Sequence, residues 1–166
     1  MPHPYGPNIS GVPETTIARL KCQLDCLPIL LDGASSEALD RRPKPGKWSA
    51  RENLAHLARY EEMFLDRIQR IRSEDRPALP RYRAEDDPRW PQWLAMPTED
   101  ILSRLHSLRV ELVGAVERLS AAEFSRVGVH SLFGEMTLTE WLEFFLLHEA
   151  HHLLAILQRV RMPSAS

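Results

Sequence analysis

Cysteine, an excess of charge and long apolar runs are all scarce in this sequence. Its 166 residues include 2 Cys, and 21 Lys and Arg stand against 23 Asp and Glu, which gives a formal net charge of −2. So few cysteines exclude a disulfide-built scaffold and indicate a reducing compartment. The balanced charge argues against a general electrostatic nucleic-acid binder, because such a protein needs a basic excess.

The N-terminus also lacks the basic start and apolar stretch of a secretory signal. No apolar run approaches the roughly 20 residues that span a bilayer. We therefore expect a soluble, cytoplasmic protein with no nucleic-acid or membrane partner.

Proline and glycine divide the chain into four helical stretches. Residues 1–13 are predicted to be a flexible lead-in, and residues 14–162 a single domain. Apolar residues at spacings of three or four predict helices near residues 14–31, 49–72, 98–119 and 137–160. Ser49 and Glu52 form the capping-box pattern that begins the second helix. No segment alternates with period two for long enough to predict a sheet, so we expect an all-α four-helix bundle.

The connection between the second and third predicted helices is unusually long. Residues 73–97 contain five Pro and two Trp among many charges. We expect a long surface loop there, with a helical turn near Trp93, because loops of this length often cover a site.

Three of the seven histidines lie close together in the segment LHEAHH. His148 could pair with His151 or with His152, and two imidazoles at i,i+4 on a helix are a common way to chelate a divalent metal. At about 100° per residue, His148 and His152 flank the apolar face of the fourth helix, whereas His151 points away. His56, at the edge of the apolar face of the second helix, is the best third candidate. The alternative is that these three are partly buried structural histidines with no metal.

The chain resembles the DinB/YfiT-like superfamily in two segments. The first is RPKPGKWSARENLAHLARYEEMF, which is similar to the family's Pro-Gly-Lys-Trp-Ser turn followed by a helix with a His-Leu pair. The second is GVHSLFGEMTLTEWLEFFLLHEAHHLLAIL, which resembles the family's loop with a Gly, then Thr-Leu, then His-x-x-x-His. The two segments occur in the family's order, and the resemblance extends from residue 14 to residue 160.

The resemblance implies an up-down-down-up four-helix bundle that holds a divalent metal, often nickel or zinc. Carried over by position, the metal ligands are His56, His148 and His152. Some members are transferases that use bacillithiol, mycothiol or glutathione, and others are described as metal-dependent hydrolases. The resemblance therefore implies an enzyme acting on a small molecule, with a low-molecular-weight thiol as a possible cosubstrate. The alternative is a non-catalytic, stress-related helical homodimer whose metal site is structural or empty.

Three further residues are candidate catalytic helpers. Glu61 and Glu149 fall near the middle of apolar helix faces, where a bare carboxylate is costly, so each is a candidate general base or a hydrogen-bond acceptor for a ligand imidazole. A carboxylate paired with an arginine explains them equally well. Tyr60, one turn after His56, is expected to face the same cleft. His130 is a candidate for the mouth of the site, although an ordinary loop histidine is the simpler interpretation.

Two further residue patterns have simpler structural explanations. Arg51, Arg59 and Arg67 recur every eight residues on the second helix and would suit the rim of an anion-binding cleft, but a solvated helix face also explains them. Cys22 and Cys26 are interpreted as small core residues.

A second apolar stripe on the fourth helix comprises Phe144, Leu147 and Leu154, with His151 among them. A helix that is apolar on both sides is either fully buried or used for association, so we expect a homodimer through this helix.

Overall fold

The structure is a computed structural model that describes residues 14–161. The lead-in predicted for residues 1–13 lies outside the described residues. Four helical segments form the body of the fold. The first is built from α1 (Glu14–Cys22), a 3₁₀ turn (Gln23–Cys26) and α2 (Leu27–Leu31), and a short α3 (Ser36–Asp40) follows. The other three are α4 (Ala50–Ser73), α6 (Thr98–Glu117) and α8 (Leu138–Arg161).

Side-chain contacts give the directions of these helices. Thr16 and Gln23 of the first segment reach Glu143 and Glu149 of α8, respectively, so the first and last segments run parallel. The later residue of the first segment contacts the later residue of α8, which is possible only when both segments run in the same direction.

The second and third segments are parallel to each other. Arg51 at the start of α4 donates to the carbonyl of Met96, just before α6, at 3.4 Å. Arg72 at the end of α4 pairs with Glu123, just after α6, at 2.7 Å.

Contacts between α4 and α8 run in the opposite sense. Asn53 near the start of α4 contacts His152 near the end of α8 at 2.8 Å, while Arg67 lies over the ring of Trp141 near the start of α8, 5.1 Å from its centroid. The bundle therefore has the expected up-down-down-up topology.

Local sequence signals set the start of α4. The hydroxyl of Ser49 accepts a hydrogen bond from the Glu52 amide at 3.1 Å, and the Glu52 carboxylate accepts one from the Ser49 amide at 2.7 Å. This is the predicted capping box, and it satisfies two amides that no helical carbonyl can reach. The helix that follows carries Asn53 and His56 within its first two turns.

The expectation that the chain forms no sheet is wrong. Three short strands pair in the order β1 (Ala78–Leu79), β2 (Val127–His130) and β3 (Gly134–Thr137). β1 is parallel to β2, with Ala78 opposite Val129, and β2 is antiparallel to β3, with Val129 opposite Glu135. Strands of two to four residues are too short to show an alternating pattern, and β1 depends on a partner 51 residues away along the chain.

The segment 73–97 is more structured than a surface loop. It contributes β1, a 3₁₀ turn (Ala84–Asp86) and α5 (Trp90–Ala95), which confirms the predicted helical turn. Trp90 and Trp93 are buried, so the segment packs on the bundle by hydrophobic burial. The remaining short helix, α7 (Ala121–Phe124), leads from α6 into β2.

None of the helices in residues 14–161 is long and apolar enough to cross a membrane.

Candidate metal centre

Three histidines converge between α4 and α8. His56 lies on α4, while His148 and His152 lie one turn apart on α8. Nε2 of His148 is 3.1 Å from Nε2 of His56 and 3.2 Å from Nε2 of His152. Nitrogen atoms of all three lie within 4.8 Å of one another. The structure thus brings together the three residues proposed as ligands, and it leaves His151 exposed outside the group.

Asn53 orients one of these rings. Its side-chain oxygen lies 2.8 Å from Nδ1 of His152, and its side-chain nitrogen donates to the carbonyl of Ser49 at 2.7 Å. The second bond fixes the amide so that its oxygen faces the histidine. His152 must then carry its proton on Nδ1, which leaves the lone pair of Nε2 directed toward the other two histidines.

Burial keeps all three imidazoles neutral. It lowers the pKa of His56 to about 2, of His148 to about 3 and of His152 to about 4, and the charges of neighbouring histidines add to the effect. A neutral imidazole is the form that binds a metal. A metal that binds here therefore does not have to displace protons from the three histidines near neutral pH.

The donor set fits a divalent metal. Nε2 of His148 contacts the Nε2 atoms of both His56 and His152, and the Nδ1 atoms of His56 and His148 are buried without a hydrogen-bond partner among the described residues. Because lone pairs that point at one another repel, such an arrangement is stabilised when a cation lies between them. Three imidazoles suit zinc, nickel or copper better than magnesium or calcium, which prefer oxygen ligands.

Aromatic rings surround the histidines. Tyr60 stacks on His148 with ring centroids 3.9 Å apart, Trp48 lies 4.8 Å from His56, and Tyr82 stacks on His56 at 5.6 Å. These rings exclude water from the sides of the site and lower its effective dielectric constant. Tyr60 faces the cleft, as expected.

A cavity of about 610 Å³ opens beside the histidines. This volume falls within the range of small-molecule sites. Its wall includes all three histidines, the Tyr60 and Phe144 rings, and cationic side chains from several elements.

The structure corrects the expectation that Glu61 or Glu149 is a general base or a hydrogen-bond acceptor for a ligand histidine. Both carboxylates pair with the guanidinium of Arg109 in the core, and Gln23 also donates to Glu149 at 2.8 Å. Neither carboxylate lines the cavity or contacts a histidine in the described part of the chain. The arginine pairing that was the alternative interpretation is what the structure has. The hydrogen bond to a ligand imidazole comes from Asn53 instead.

The three arginines of the second helix have different surroundings. Arg51 pairs with Asp40, and Arg59 pairs with Asp87 at 2.6 Å, so both are neutralised away from the histidines. Arg67 is buried and lines the cavity. The solvated-face interpretation therefore fails for Arg67.

The sequence predicts a loop position for His130, but this residue lies at the end of β2, where it is buried and lines the cavity. The core interpretation of the two cysteines is wrong for Cys22, which is exposed. Cys26 is half-buried and packs against the core, and both cysteines are free thiols.

Asn53 and Arg109 are important residues that the sequence patterns do not identify. Asn53 lies one turn before His56 on the same helix, and this i,i+3 spacing was the available signal. Arg109 had no local signal, because its partners lie 48 and 40 residues away.

The chain is similar to one protein family and to individual proteins of two bacteria. The family model of the DinB superfamily matches residues 23–156. The uncharacterized protein YuaE of Bacillus subtilis is 30% identical over 136 residues, which cover 74% of this chain and 83% of YuaE. A protein of Oceanobacillus iheyensis named "putative metal-dependent hydrolase" is 22% identical over 123 residues, which cover 74% of this chain and 70% of that protein.

The fold is also similar to that of a solved structure. YfiT from Bacillus subtilis, described as "a probable metal-dependent hydrolase with an unusual four-helix bundle topology", superposes with a TM-score of 0.75 at 21% identity, over 95% of each chain. At this level of identity the likeness concerns the fold alone. The family match covers most of the described chain and includes all three histidines. The chain therefore belongs to the DinB superfamily.

Proposed function

We propose that this protein binds one divalent metal through His56, His148 and His152 and is an enzyme that acts on a small molecule. The observation that carries the proposal is the convergence of three neutral imidazole Nε2 atoms on the wall of a cavity of about 610 Å³. The name of the Oceanobacillus relative supports metal-dependent chemistry.

Three protein ligands suit a catalytic rather than a closed structural site, since zinc in a structural site has four. When bound, a divalent metal lowers the pKa of a coordinated water or thiol and so supplies a nucleophile near neutral pH. Asn53 holds His152 in the tautomer that keeps its Nε2 free to bind. The rings of Trp48, Tyr60 and Tyr82 hold the other histidines in place and exclude bulk water.

Hydrolysis is the reaction we place first, because a relative carries that description. Transfer of a thiol such as bacillithiol, mycothiol or glutathione to an electrophile is the second candidate. The positive charge of the cavity favours it for an anionic thiol, since Arg67 and Arg81 both line the wall. We propose nickel or zinc as the metal and the cytoplasm as the location, which the free thiols of Cys22 and Cys26 support.

Elemental analysis of untagged protein tests the metal site. We expect close to one divalent metal per chain in the wild type and in His151→Ala, and little in His148→Ala. His151 is the matched control, because it is an exposed histidine on the same helix. Equal metal content in all three proteins, or none in any of them after incubation with zinc or nickel, would contradict the proposal.

Activity measurements on the metal-loaded protein separate the two reactions. Hydrolysis proceeds without added thiol, whereas transfer needs a thiol and consumes it in equal amounts with the electrophile. A non-catalytic homodimer predicts neither activity. It also predicts that His148→Ala loses its helical signal if the metal is structural.

A further inference from the structure

Arg67 is a buried cation with no counter-ion in the described part of the chain. Arg67 is 5% exposed. Its guanidinium donates a hydrogen bond to the carbonyl of Pro80 at 2.5 Å and lies 3.4 Å from the Tyr60 hydroxyl. No carboxylate within residues 14–161 forms an ion pair with it, and its sequence neighbour Asp66 is exposed. A buried charge with no partner of opposite sign is costly.

Arg109 is a buried arginine with a structural role in the same fold. It is 4% exposed, about as buried as Arg67, and it is neutralised by both Glu61 and Glu149. Arg67 forms no such pair with residues 14–161 and lines the cavity instead. The contrast indicates that the counter-ion of Arg67 comes from outside the chain.

His130 contributes a fixed donor to the same cavity. Its Nδ1 accepts hydrogen bonds from the backbone amides of Leu132 at 3.1 Å and Phe133 at 3.2 Å. With Nδ1 acting as acceptor, the ring proton must lie on Nε2. Nε2 has no hydrogen-bond partner among the described residues, so His130 offers this cavity an N–H donor.

Arg81 adds a second cation beside His130. Its backbone amide donates to the hydroxyl of Ser131 at 3.2 Å, which ties it to the residue next to His130. Its guanidinium is exposed, lines the cavity and forms no ion pair within residues 14–161. The cavity's carboxylate, Glu85, is exposed and also lines the neighbouring groove with Trp48 and His152, which places it toward the three histidines.

Phe144 lies between the two ends of the cavity. Its ring centroid is 6.4 Å from that of His148 and 5.5 Å from that of His130. The cavity thus has the three-histidine group at one end, an apolar wall in the middle, and cations with a fixed donor at the other end.

We propose that Arg67, Arg81 and His130 bind an anionic group of the substrate, a carboxylate or a phosphate, while its reacting group lies at the three histidines. The second half of this statement rests on the proposed function, and the first half does not. The substrate class is a small molecule whose anion and reacting group are separated by an apolar stretch. Charge-assisted hydrogen bonds to such an anion are short and directional, which suits a positioning role.

The test is a calorimetric titration of the full-length protein as purified with hexanoate, hexyl phosphate and uncharged hexanamide. We expect one or both anions to bind and hexanamide not to bind. Arg67→Gln should weaken anion binding by about tenfold or more, and Arg81→Gln and His130→Gln by about threefold or more, because each removes a charged or polar hydrogen bond. Arg83→Gln is the matched control, since Arg83 lines the same cavity but pairs with Asp86 at 3.3 Å. The anion affinity of this variant should stay within about twofold of the wild-type value.

The same titration on His148→Ala separates this proposal from the metal site. Anion binding that persists there and falls in the Arg67 variant supports the proposal, whether or not the protein binds metal. Binding that disappears in His148→Ala and survives in Arg67→Gln places the anion at the histidines and overturns it, as does failure of both anions to bind the wild type. If circular dichroism shows Arg67→Gln unfolded, the exposed Arg81 and the His130 variants decide the matter. The tighter of the two anions identifies the group.

Discussion

The side-chain oxygen of Asn53 lies 2.8 Å from Nδ1 of His152, and the same amide is fixed by the carbonyl of Ser49. Ser49 is the residue that caps α4. The capping turn of one helix therefore determines which nitrogen of a histidine on another helix is free. The relationship joins a local sequence signal to His152, which lies 99 residues after Asn53 in the chain.

Replacing Asn53 with Ala should weaken metal binding. Without the acceptor, His152 is free to rotate and to place its proton on Nε2. Loss of such a partner typically costs about 10- to 100-fold in metal affinity. Competition with a chromophoric zinc chelator measures this. Asn53→Asp keeps an acceptor at the same position, so its affinity should stay closer to the wild type; an Ala variant that binds zinc as tightly as the wild type would contradict the assigned role.

The sequence predicts the parts of this site that depend on local patterns. The start of α4 follows from the Ser49 capping box, and the choice of His152 over His151 follows from helical periodicity. Both depend only on residues within one or two turns. The sheet, the pairing of Arg109 and the position of His130 depend instead on contacts between distant segments, and the short strands carry no periodic signal. Glu61 illustrates the limit, because its buried position was predicted and its partner was not.

The metal-free protein should lose stability as the pH falls below about 6.5. Burial lowers the pKa of His56, His148 and His152 to about 2, 3 and 4, whereas an unfolded histidine titrates near 6.5. Between these values the unfolded chain binds protons that the folded chain does not, so the free energy of unfolding rises with pH. Three such groups give a slope of up to about 4 kcal/mol per pH unit near pH 5.

Urea unfolding between pH 4.5 and pH 7.5 in the presence of a chelator measures this slope. His152→Asn removes one titrating group. Near pH 5, the slope of its unfolding free energy against pH should therefore be smaller than that of the wild type by about 1.4 kcal/mol per pH unit, which corresponds to one proton. An unfolding free energy that does not change between pH 7 and pH 5 would show that the histidines are accessible to protons in the folded state.

The buried ion pairs of Arg109 should matter for stability and not for metal content. Glu61→Gln leaves part of a buried guanidinium without its partner, and breaking such a pair costs about 3 to 5 kcal/mol. Burial raises the pKa of Glu61 from 4.5 to about 7 despite the arginine, so between these values the folded wild type binds a proton that the unfolded chain does not. Because Gln does not titrate, the loss in the variant should grow as the pH falls below 7. Urea unfolding measures the loss, and elemental analysis of the folded fraction should still find the metal. Loss of metal with unchanged stability would restore Glu61 as a helper of the histidines.

Association through α8 is the remaining prediction. Leu147 and Leu154 are 67% and 54% exposed on the outer face of this helix, a pattern that favours burial against a second copy. Light scattering after size exclusion should give a dimer for the wild type and a monomer for Leu147→Asp. Ile29→Asp is the matched control, because Ile29 is 69% exposed on a different helix, and it should leave the dimer intact. A monomeric wild type at micromolar concentration would contradict the proposed homodimer and assign the exposed leucines to the solvated surface.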